Sequence, residues 1–594
     1  MTLSQAVIGN GNLIALVNPD SGIDWLCMPR FDSPSVFGRI LDTERGGTWR
    51  FLPNGKVAQG QMRYVRNTNV LLTRFEDETG AWDLFDFMPR IPEGLRHRAP
   101  LRVVRMLRPV SGRPRVRCEF DPRPNYGLEK PELLRSENGL SFIGNGEPYA
   151  LTSNLPVDYI LNGSEFALDL PRFFVLDYGM PSGLMHIDDV KRELDLTIAG
   201  WRQWVQNSNL PGFADAEVVR SALCLKLHAY EGTGAIIAAT TTSIPEAIGE
   251  PRTWDYRYCW LRDSVFTVEA LRRLAHFQEG RNFLRFVLDV AESGPLQPLY
   301  GIGGERELPE RELEHLAGYM GTKPVRVGNA AAKQLQTDLM GEVVLCLRSM
   351  LVDERVDFRE PQVWMPLLRR MVQESIDAFE VPDLGIWEYR GKPLLHTFSR
   401  AMCWAAVFHG AAVADRLGEA ELAESWRTEA ERMREQILER GFCEEEGMFT
   451  QSFGCKNPDA ANLLLPSIGL VEPTDPRFLA TLDRYRELLV RERGVMRYVH
   501  EDDFGTPSST FTICSFWWIE ALALSGQLEE AIEMFGKVAG HANPLGLFSE
   551  DINSESGELL GNFPQAYTHV GLINAAMTIG TLMKARSGHF HAWT

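Results

Sequence analysis

Residues 398–437, FSRAMCWAAVFHGAAVADRLGEAELAESWRTEAERMREQI, decide the fold. The first part, residues 398–413, is apolar nearly all round, which is typical of a helix buried on every side. Leu417 and Gly418 interrupt the pattern. Beyond them, apolar residues recur at helical spacing with Glu and Arg between them, as in a helix with one buried and one solvated face: Leu422, Trp426, Ala430, Met433 and Ile437.

The same order of helices returns further along the chain. Residues 511–524 are apolar all round, Gly526 breaks the pattern, and a one-sided apolar stripe follows, formed by Leu528, Ala531, Ile532 and Phe535. Repetition of a buried helix, a turn and an amphipathic helix predicts two concentric rings of helices. No repeat of fixed period is visible, so a regular solenoid is disfavoured. We therefore predict an α/α barrel.

The N-terminal part of the chain has the period of β-strands. In residues 116–120 apolar side chains alternate with charged ones, as a half-buried strand requires. Turn-forming clusters such as residues 18–22 separate segments of this kind. Many short strands predict a sandwich of antiparallel sheets. We place a β-sandwich domain with its linker at residues 1–205 and the barrel domain at residues 206–594.

Composition and charge exclude several classes of protein. Acidic residues outnumber basic ones by 80 to 61, and the resulting net charge of −19 opposes binding to nucleic acid and to anionic membranes. No stretch reaches the ~20 apolar residues of a membrane helix, and the first residues do not resemble a secretory signal. The nine cysteines form no CxxC pair, which is typical of a reducing compartment. We expect a cytoplasmic protein without a nucleic-acid or membrane partner.

The common motifs of cofactor, metal and nucleophile chemistry are missing. The glycine-rich residues 301–304 are followed by Glu305 and Arg306 rather than by the Lys of a phosphate-binding loop. Neither H-E-x-x-H nor G-x-S-x-G occurs, and the acidic residues 551–555 lack the later positions of a calcium loop. We therefore predict that the protein uses no metal ion and no organic cofactor.

Two carboxylates lie beside aromatic residues in loops ahead of apolar helices. Glu388 stands between Trp387 and Tyr389, where an apolar wall would raise its pKa as a general acid requires. The alternative is a surface glutamate. Glu550 lies in a second loop of this kind, shortly before Tyr567, and a solvated acidic loop is the alternative there.

Residues 254–263, WDYRYCWLRD, hold four aromatic side chains, two arginines and two aspartates. Buried charges in this number need partners. Aromatic rings stack on sugar faces while Arg and Asp bind hydroxyls, so the stretch indicates a sugar site. A structural cluster of ion pairs is the alternative. Together with the two glutamates and the missing motifs, the stretch indicates a glycoside hydrolase.

The chain resembles glycoside hydrolase family 15, which includes glucoamylases, glucodextranases and prokaryotic trehalases. The resemblance runs nearly end to end and rests on several motifs in a fixed order. They are residues 22–34 (GIDWLCMPRFDSP), 256–263 (YRYCWLRD), 300–306 (YGIGGER), 325–329 (VRVGN), 387–388 (WE), 497–498 (RY) and 549–550 (SE).

The resemblance implies an N-terminal β-sandwich, an (α/α)6 barrel and the removal of terminal α-linked glucose with inversion. It implies that Glu388 is the general acid and Glu550 the general base, with carboxyl groups roughly 6.5–9.5 Å apart to leave room for water. The residues that we expect to bind the substrate are Tyr256, Trp260, Arg262, Asp263, Trp387, Arg497 and Tyr567.

The chain departs from fungal glucoamylases at Tyr389 and Asp551, where those enzymes have Glu and Gln, so the preferred linkage stays open. We expect first an exo-acting glucoamylase-like enzyme for soluble malto- or isomalto-oligosaccharides. A trehalase on the same scaffold is the alternative. A non-catalytic carbohydrate-binding barrel is a third hypothesis, which the presence of both glutamates disfavours. The barrel also leaves surfaces free for a homodimer.

Overall fold

The computed structural model describes residues 3–94, 96–136, 139–180, 185–356 and 361–587. Its N-terminal part is built from antiparallel strands. They are β1 (Ala6–Gly9), β2 (Ile14–Val17), β3 (Ile23–Cys27), β4 (Ser35–Phe37), β5 (Thr48–Pro53), β6 (Gln61–Tyr64), β7 (Leu71–Asp77), β8 (Gly80–Phe87), β9 (Ile91–Glu93), β10 (Arg96–Arg98), β11 (Arg102–Gly112), β12 (Arg115–Asp121), β13 (Leu134–Ser136), β14 (Gly139–Gly144), β15 (Glu147–Ser153), β16 (Glu165–Ala167) and β17 (Arg172–Tyr178).

These strands form packed antiparallel sheets. The largest has eight strands in the order β13-β14-β15-β17-β11-β8-β7-β6, and a smaller one has the order β16-β12-β5. Phe51 of β5 packs against Phe174 of β17 with ring centres 4.8 Å apart, and Phe120 of β12 contacts Phe142 of β14. Aromatic side chains from both sheets therefore fill the space between them, and the predicted β-sandwich is confirmed.

The rest of the chain is mainly helical. The helices are α1 (Val157–Leu161), which lies among the strands, α2 (Ile187–Gln206), α3 (Asp215–His228), α4 (Leu261–Arg273), α5 (Gln278–Glu292), α6 (Leu339–Val352), α7 (Met365–Ala378), α8 (Thr397–Arg416), α9 (Ala420–Gly441), α10 (Pro476–Leu488), α11 (Thr512–Leu524), α12 (Leu528–Ala539) and α13 (Ala566–Arg586).

Short strands occur in the loops between these helices. They are β18 (Cys259–Trp260), β19 (Leu299–Tyr300), β20 (Arg311–Glu312), β21 (Arg326–Val327), β22 (Phe442–Cys443), β23 (Met448–Phe449), β24 (Val490–Arg491), β25 (Gly494–Val495), β26 (Ser509–Phe511), β27 (Asp551–Asn553) and β28 (Leu559–Leu560). Short 3₁₀ helices cover Tyr319–Gly321, Ala330–Lys333, Pro361–Trp364 and Ala460–Leu464.

The helices close into two rings. Helices α4, α6, α8, α11 and α13, with the 3₁₀ helix Ala460–Leu464 between α8 and α11, contact one another in a closed inner ring. Helices α3, α5, α7, α9, α10 and α12 lie outside it. Helices α8 and α11 are buried nearly all round, whereas α9 buries the predicted stripe of Trp426, Ala430, Met433 and Ile437. The predicted (α/α)6 barrel is confirmed.

Helix α2 lies between the two parts of the chain and packs on β9 and β17. It ends at Gln206, and the domain boundary at residues 205/206 stays a prediction. None of the nine cysteines is paired, and Cys224, Cys346 and Cys514 lie in buried helices, as their apolar surroundings predict. Within the described ranges, every helix is too short or too polar to cross a bilayer.

Candidate active site

One pocket opens at the end of the barrel where the inner helices begin. It encloses about 790 Å³, part of it open to solvent. Helices α4, α11 and α13 start among its lining residues, so the positive ends of their dipoles lie near its acidic side chains. All the residues predicted to act in catalysis or binding line it: Tyr256, Trp260, Arg262, Asp263, Trp387, Glu388, Arg497, Glu550 and Tyr567.

Glu388 lies in the loop between α7 and α8 with a backbone φ of +60°. Only a few per cent of non-glycine residues in proteins adopt this left-handed conformation, and it persists where neighbouring contacts hold it. Here the Gln334 amide donates to the Glu388 carbonyl at 3.2 Å, and the Glu388 N–H donates to the carbonyl of Gly385, also at 3.2 Å. The loop therefore holds the Glu388 carboxyl in a fixed position at the pocket wall.

The guanidinium of Arg262, in the first turn of α4, joins three polar side chains. It donates to Glu388 Oε1, to Asp338 Oδ2 and to Gln336 Oε1, each at 3.1 Å. Burial nevertheless raises the pKa of Glu388 to about 8, because desolvation of the carboxylate outweighs the attraction of Arg262. Glu388 is therefore mainly protonated at neutral pH, as a general acid must be.

Glu550 is placed by a small sheet in the order β26-β27-β28. Its N–H donates to the carbonyl of Asn562 at 3.2 Å, and its carbonyl accepts from the N–H of Thr512 at 3.0 Å. Its side chain is buried, so the alternative of a solvated acidic loop is wrong. Gly561 makes this position possible, since a Cβ there would lie 2.6 Å from that of Glu550. Oε2 of Glu550 has no hydrogen-bond partner among the described residues.

Three carboxyl groups surround Arg497. Its guanidinium pairs closely with Glu246, and Glu550 and Asp551 lie near it. Burial, Glu246 and Asp551 raise the pKa of Glu550, while Arg497 opposes the change. Burial raises the pKa of Asp551 as well, although its Oδ1 accepts from Ser509 Oγ at 3.0 Å. Across the described residues, His, Cys, Asp and Glu side chains form no group of three that could hold a metal ion.

The predicted aromatic residues form the apolar walls of the pocket. The rings of Tyr256 and Trp260 meet edge to face, with centres 6.1 Å apart. Trp387 packs against Trp517, and its indole N–H donates to Asp459 Oδ1 at 2.9 Å. The hydroxyl of Tyr567 is buried and has no hydrogen-bond partner within the part of the chain that the structure describes. The pocket therefore offers flat apolar faces for sugar rings next to polar atoms.

Of the two charged pairs in residues 254–263, one is a structural ion pair and the other lines the pocket. Asp255 and Arg257 form a fully buried ion pair at 2.7 Å, and Arg257 also donates to the Ser33 carbonyl and the Tyr126 hydroxyl of the sandwich. The structural interpretation is therefore right for this pair. Of the four charged residues in this stretch, Arg262 and Asp263 are the two that line the pocket. Burial raises the pKa of Asp263 there to about 6.

Other pocket residues were not identified from the sequence because isolated polar, charged or aromatic residues in loops form no motif. Glu246 follows the buried polar run 240–243, which is the one signal that could have pointed to it. The remaining ones lie in loops whose contacts only the fold brings together. The residues missed in this way include Glu246, Arg252, Gln334, Arg390, Asp502, Asp503 and Phe504.

Family models match both parts of the chain. Residues 212–577 match the model described as Glycosyl hydrolases family 15, and residues 4–164 match the model described as Trehalase-like, N-terminal. The chain is 36% identical to a protein named trehalase from Mycobacterium tuberculosis, with 97% of this chain and 89% of that protein covered. It is 33% identical to a protein named trehalase from Thermoplasma volcanium, with 98% and 94% covered.

A solved structure extends the comparison to the fold. A bacterial glucoamylase complexed with acarbose matches with a TM-score of 0.68 at 14% identity, covering 99% of this chain and 96% of that one. Such an identity shows the shared fold, a β-sandwich followed by an (α/α)6 barrel. The sequence matches show more: the protein is a carbohydrate-hydrolysing enzyme, and the hypothesis of a non-catalytic barrel is set aside. The chain belongs to glycosyl hydrolase family 15.

Proposed function

We propose that the enzyme hydrolyses α,α-trehalose to two molecules of glucose. The observation that carries this proposal is the match of nearly the whole chain, both domains included, to relatives named trehalase at 33–36% identity. The likeness to a glucoamylase, at 14% identity, concerns the fold alone. The alternative from the sequence therefore takes precedence over the glucoamylase-like hypothesis.

The first glucose of the substrate binds at the deep end of the pocket. Arg262 and Asp263 are both buried there and present charged groups that hydrogen-bond to sugar hydroxyls. Tyr256 and Trp260 supply the ring faces beside them. A disaccharide of glucose is neutral, so these groups need to match hydroxyls rather than an opposite charge, in agreement with the net charge of −19, which a neutral substrate tolerates.

Glu388 acts as the general acid. Its carboxyl group, protonated near neutral pH, donates its proton to the oxygen that links the two glucose rings. The bond between that oxygen and the anomeric carbon of the first glucose breaks, and the second glucose leaves with the oxygen. Arg262, which contacts Glu388 directly, stabilises the carboxylate that remains.

Glu550 acts as the general base. Its unpartnered Oε2 accepts a proton from a water molecule whose oxygen attacks the anomeric carbon from the face opposite the leaving group. Burial raises the pKa of both Glu550 and Asp551, so the mechanism requires that Asp551 be protonated while Glu550 is ionised. Attack from the opposite face gives the first glucose as the β-anomer, whereas the second leaves as the α-anomer.

A substrate panel tests the proposal. Glucose release is measured at equal concentrations of trehalose, maltose, isomaltose and dextrin, with the Glu550→Gln variant as the inactive control. We expect trehalose to be the preferred substrate. Glucose release from maltose or dextrin without any from trehalose would refute it and restore the glucoamylase-like hypothesis.

The unpaired cysteines also suit a cytoplasmic enzyme, and a homodimer stays a prediction.

A further inference from the structure

Three side chains at the mouth of the pocket form a cluster that the proposed mechanism does not use. The guanidinium of Arg390 lies 4.4 Å from the ring centre of Trp254 and 5.9 Å from that of Phe504. The rings of Trp254 and Phe504 meet edge to face with centres 5.2 Å apart. All three residues line the pocket, and we call them the rim cluster.

Ion pairs from several loops hold the rim cluster in place. The guanidinium of Arg390 donates to both oxygens of Glu310, at 3.2 and 2.9 Å, and its backbone N–H donates to Asp503 Oδ2 at 2.7 Å. Arg252 donates to both oxygens of Asp502, at 2.6 and 3.0 Å. Phe504 therefore follows two anchored aspartates, and the loops that carry the cluster are tied to one another across the mouth.

The rim cluster lies at the solvent end of the pocket and close to the general acid. Arg262 and Glu550 at the deep end are buried, whereas Arg390 and Asp503 are exposed. Arg390 is two residues beyond Glu388, so their Cα atoms are at most ~7 Å apart. Glu388 and the rim cluster line the same pocket, so the cluster lies where a leaving group protonated by Glu388 would extend toward the solvent.

We propose that the rim cluster limits the space beyond the cleaved bond to one hexose and so selects disaccharides over longer saccharides. A longer leaving group would have to displace the Arg390 guanidinium from two aromatic rings and from Glu310. The proposal rests on the proposed function for the identity of the disaccharide. It concerns chain length, however, and not linkage.

The experiment compares two substrates that share a linkage and differ in length. The first is trehalose, and the second is the trisaccharide with a further glucose on the 4-hydroxyl of one of its rings. Values of kcat/KM are measured for the wild-type enzyme, for Phe504→Ala and Arg390→Ala, and for Arg113→Ala, which removes an exposed pair with Asp169 on the sandwich. Melting temperatures check that every variant is folded. If the wild-type enzyme cleaves maltose instead of trehalose, maltose and maltotriose replace the pair.

We expect the wild-type enzyme and Arg113→Ala to prefer the disaccharide, and the two rim variants to narrow that preference roughly tenfold or more, the range that one pocket contact can supply. A wild-type enzyme that cleaves both lengths equally well overturns the proposal, as do folded rim variants with an unchanged preference. An enzyme that is inactive on trehalose but cleaves maltose refutes the proposed function. The comparison of maltose with maltotriose then still tests the rim cluster.

Discussion

Replacement of Glu388 by Gln tests the assignment of the general acid through the pH dependence of the reaction. Gln keeps the size and polarity of the protonated carboxyl group but has no proton to give. The wild-type enzyme needs Glu388 protonated, so its rate falls as the pH rises through the pKa of this group. The variant loses both the proton and the titration, and its remaining activity should not decline in the same pH range.

The raised pKa of Glu388 sets the size of the effect. With a pKa of about 8, about nine tenths of Glu388 is protonated at pH 7 and about one tenth at pH 9, so kcat/KM should fall roughly tenfold over that interval. At the ordinary value of 4.5 only about 0.3% would be protonated at pH 7. Burial thus enlarges the active fraction about 300-fold, equivalent to about 3 kcal/mol. Loss of the acid should lower kcat by about 10²–10⁴-fold.

Two substrates make the assay specific. Trehalose hydrolysis is followed from pH 5 to pH 10, together with hydrolysis of α-glucosyl fluoride, whose leaving group departs as fluoride with little need of a proton. The Glu388→Gln variant should keep a much larger share of its activity on the fluoride. A wild-type profile that stays flat to pH 10, or an alkaline decline that persists in the variant, would show that another group is the acid.

Three further outcomes follow from the same site. Glu550→Gln should lower turnover by orders of magnitude on trehalose and on α-glucosyl fluoride alike, because the base acts on water in both reactions; recovery on the fluoride would contradict its role. Proton NMR of early product from α-glucosyl fluoride should show β-glucose, and α-glucose would mean retention. Gln334→Ala should lower kcat roughly tenfold with little change in KM or in the alkaline limb, since it frees the strained backbone of Glu388; an unchanged kcat would remove Gln334 from the machinery.

The rings of the barrel could be predicted because burial leaves a periodic pattern in the sequence. Helix α8 is apolar all round since neighbours surround it, and α9 alternates because one face meets water. The sixth inner element gave no such signal. It is the 3₁₀ helix Ala460–Leu464, which is too short for a helical period to be seen. Its place in the ring depends on contacts with α8 and α11 rather than on its own residues.

The candidate site could be predicted where charge and aromatic residues are neighbours in sequence, as at Glu388 and Arg262. The pairing of two site residues could not be predicted where they lie far apart in the sequence. Glu246 and Arg497 pair across 251 positions, and neither has a motif that names the other. The local sequence of Glu550 could not distinguish it from a solvated loop residue, since its burial comes from the small sheet around it, and only the family resemblance assigned it a role. Residues so far apart in the sequence meet only because the barrel closes.

The sandwich takes part in this arrangement although none of its described residues lines the pocket. Arg257 and its ion-pair partner Asp255 are both fully buried. The cost of removing these charges from water is offset only if hydrogen bonds satisfy the rest of the guanidinium. Two of its hydrogen-bond partners, the Ser33 carbonyl and the Tyr126 hydroxyl, come from the sandwich. Trp25 of β3 donates to the carbonyl of Thr240 at 2.8 Å, at the start of the loop that carries Glu246. The sandwich therefore holds both ends of residues 240–257, the segment from which Glu246 and Tyr256 reach the pocket.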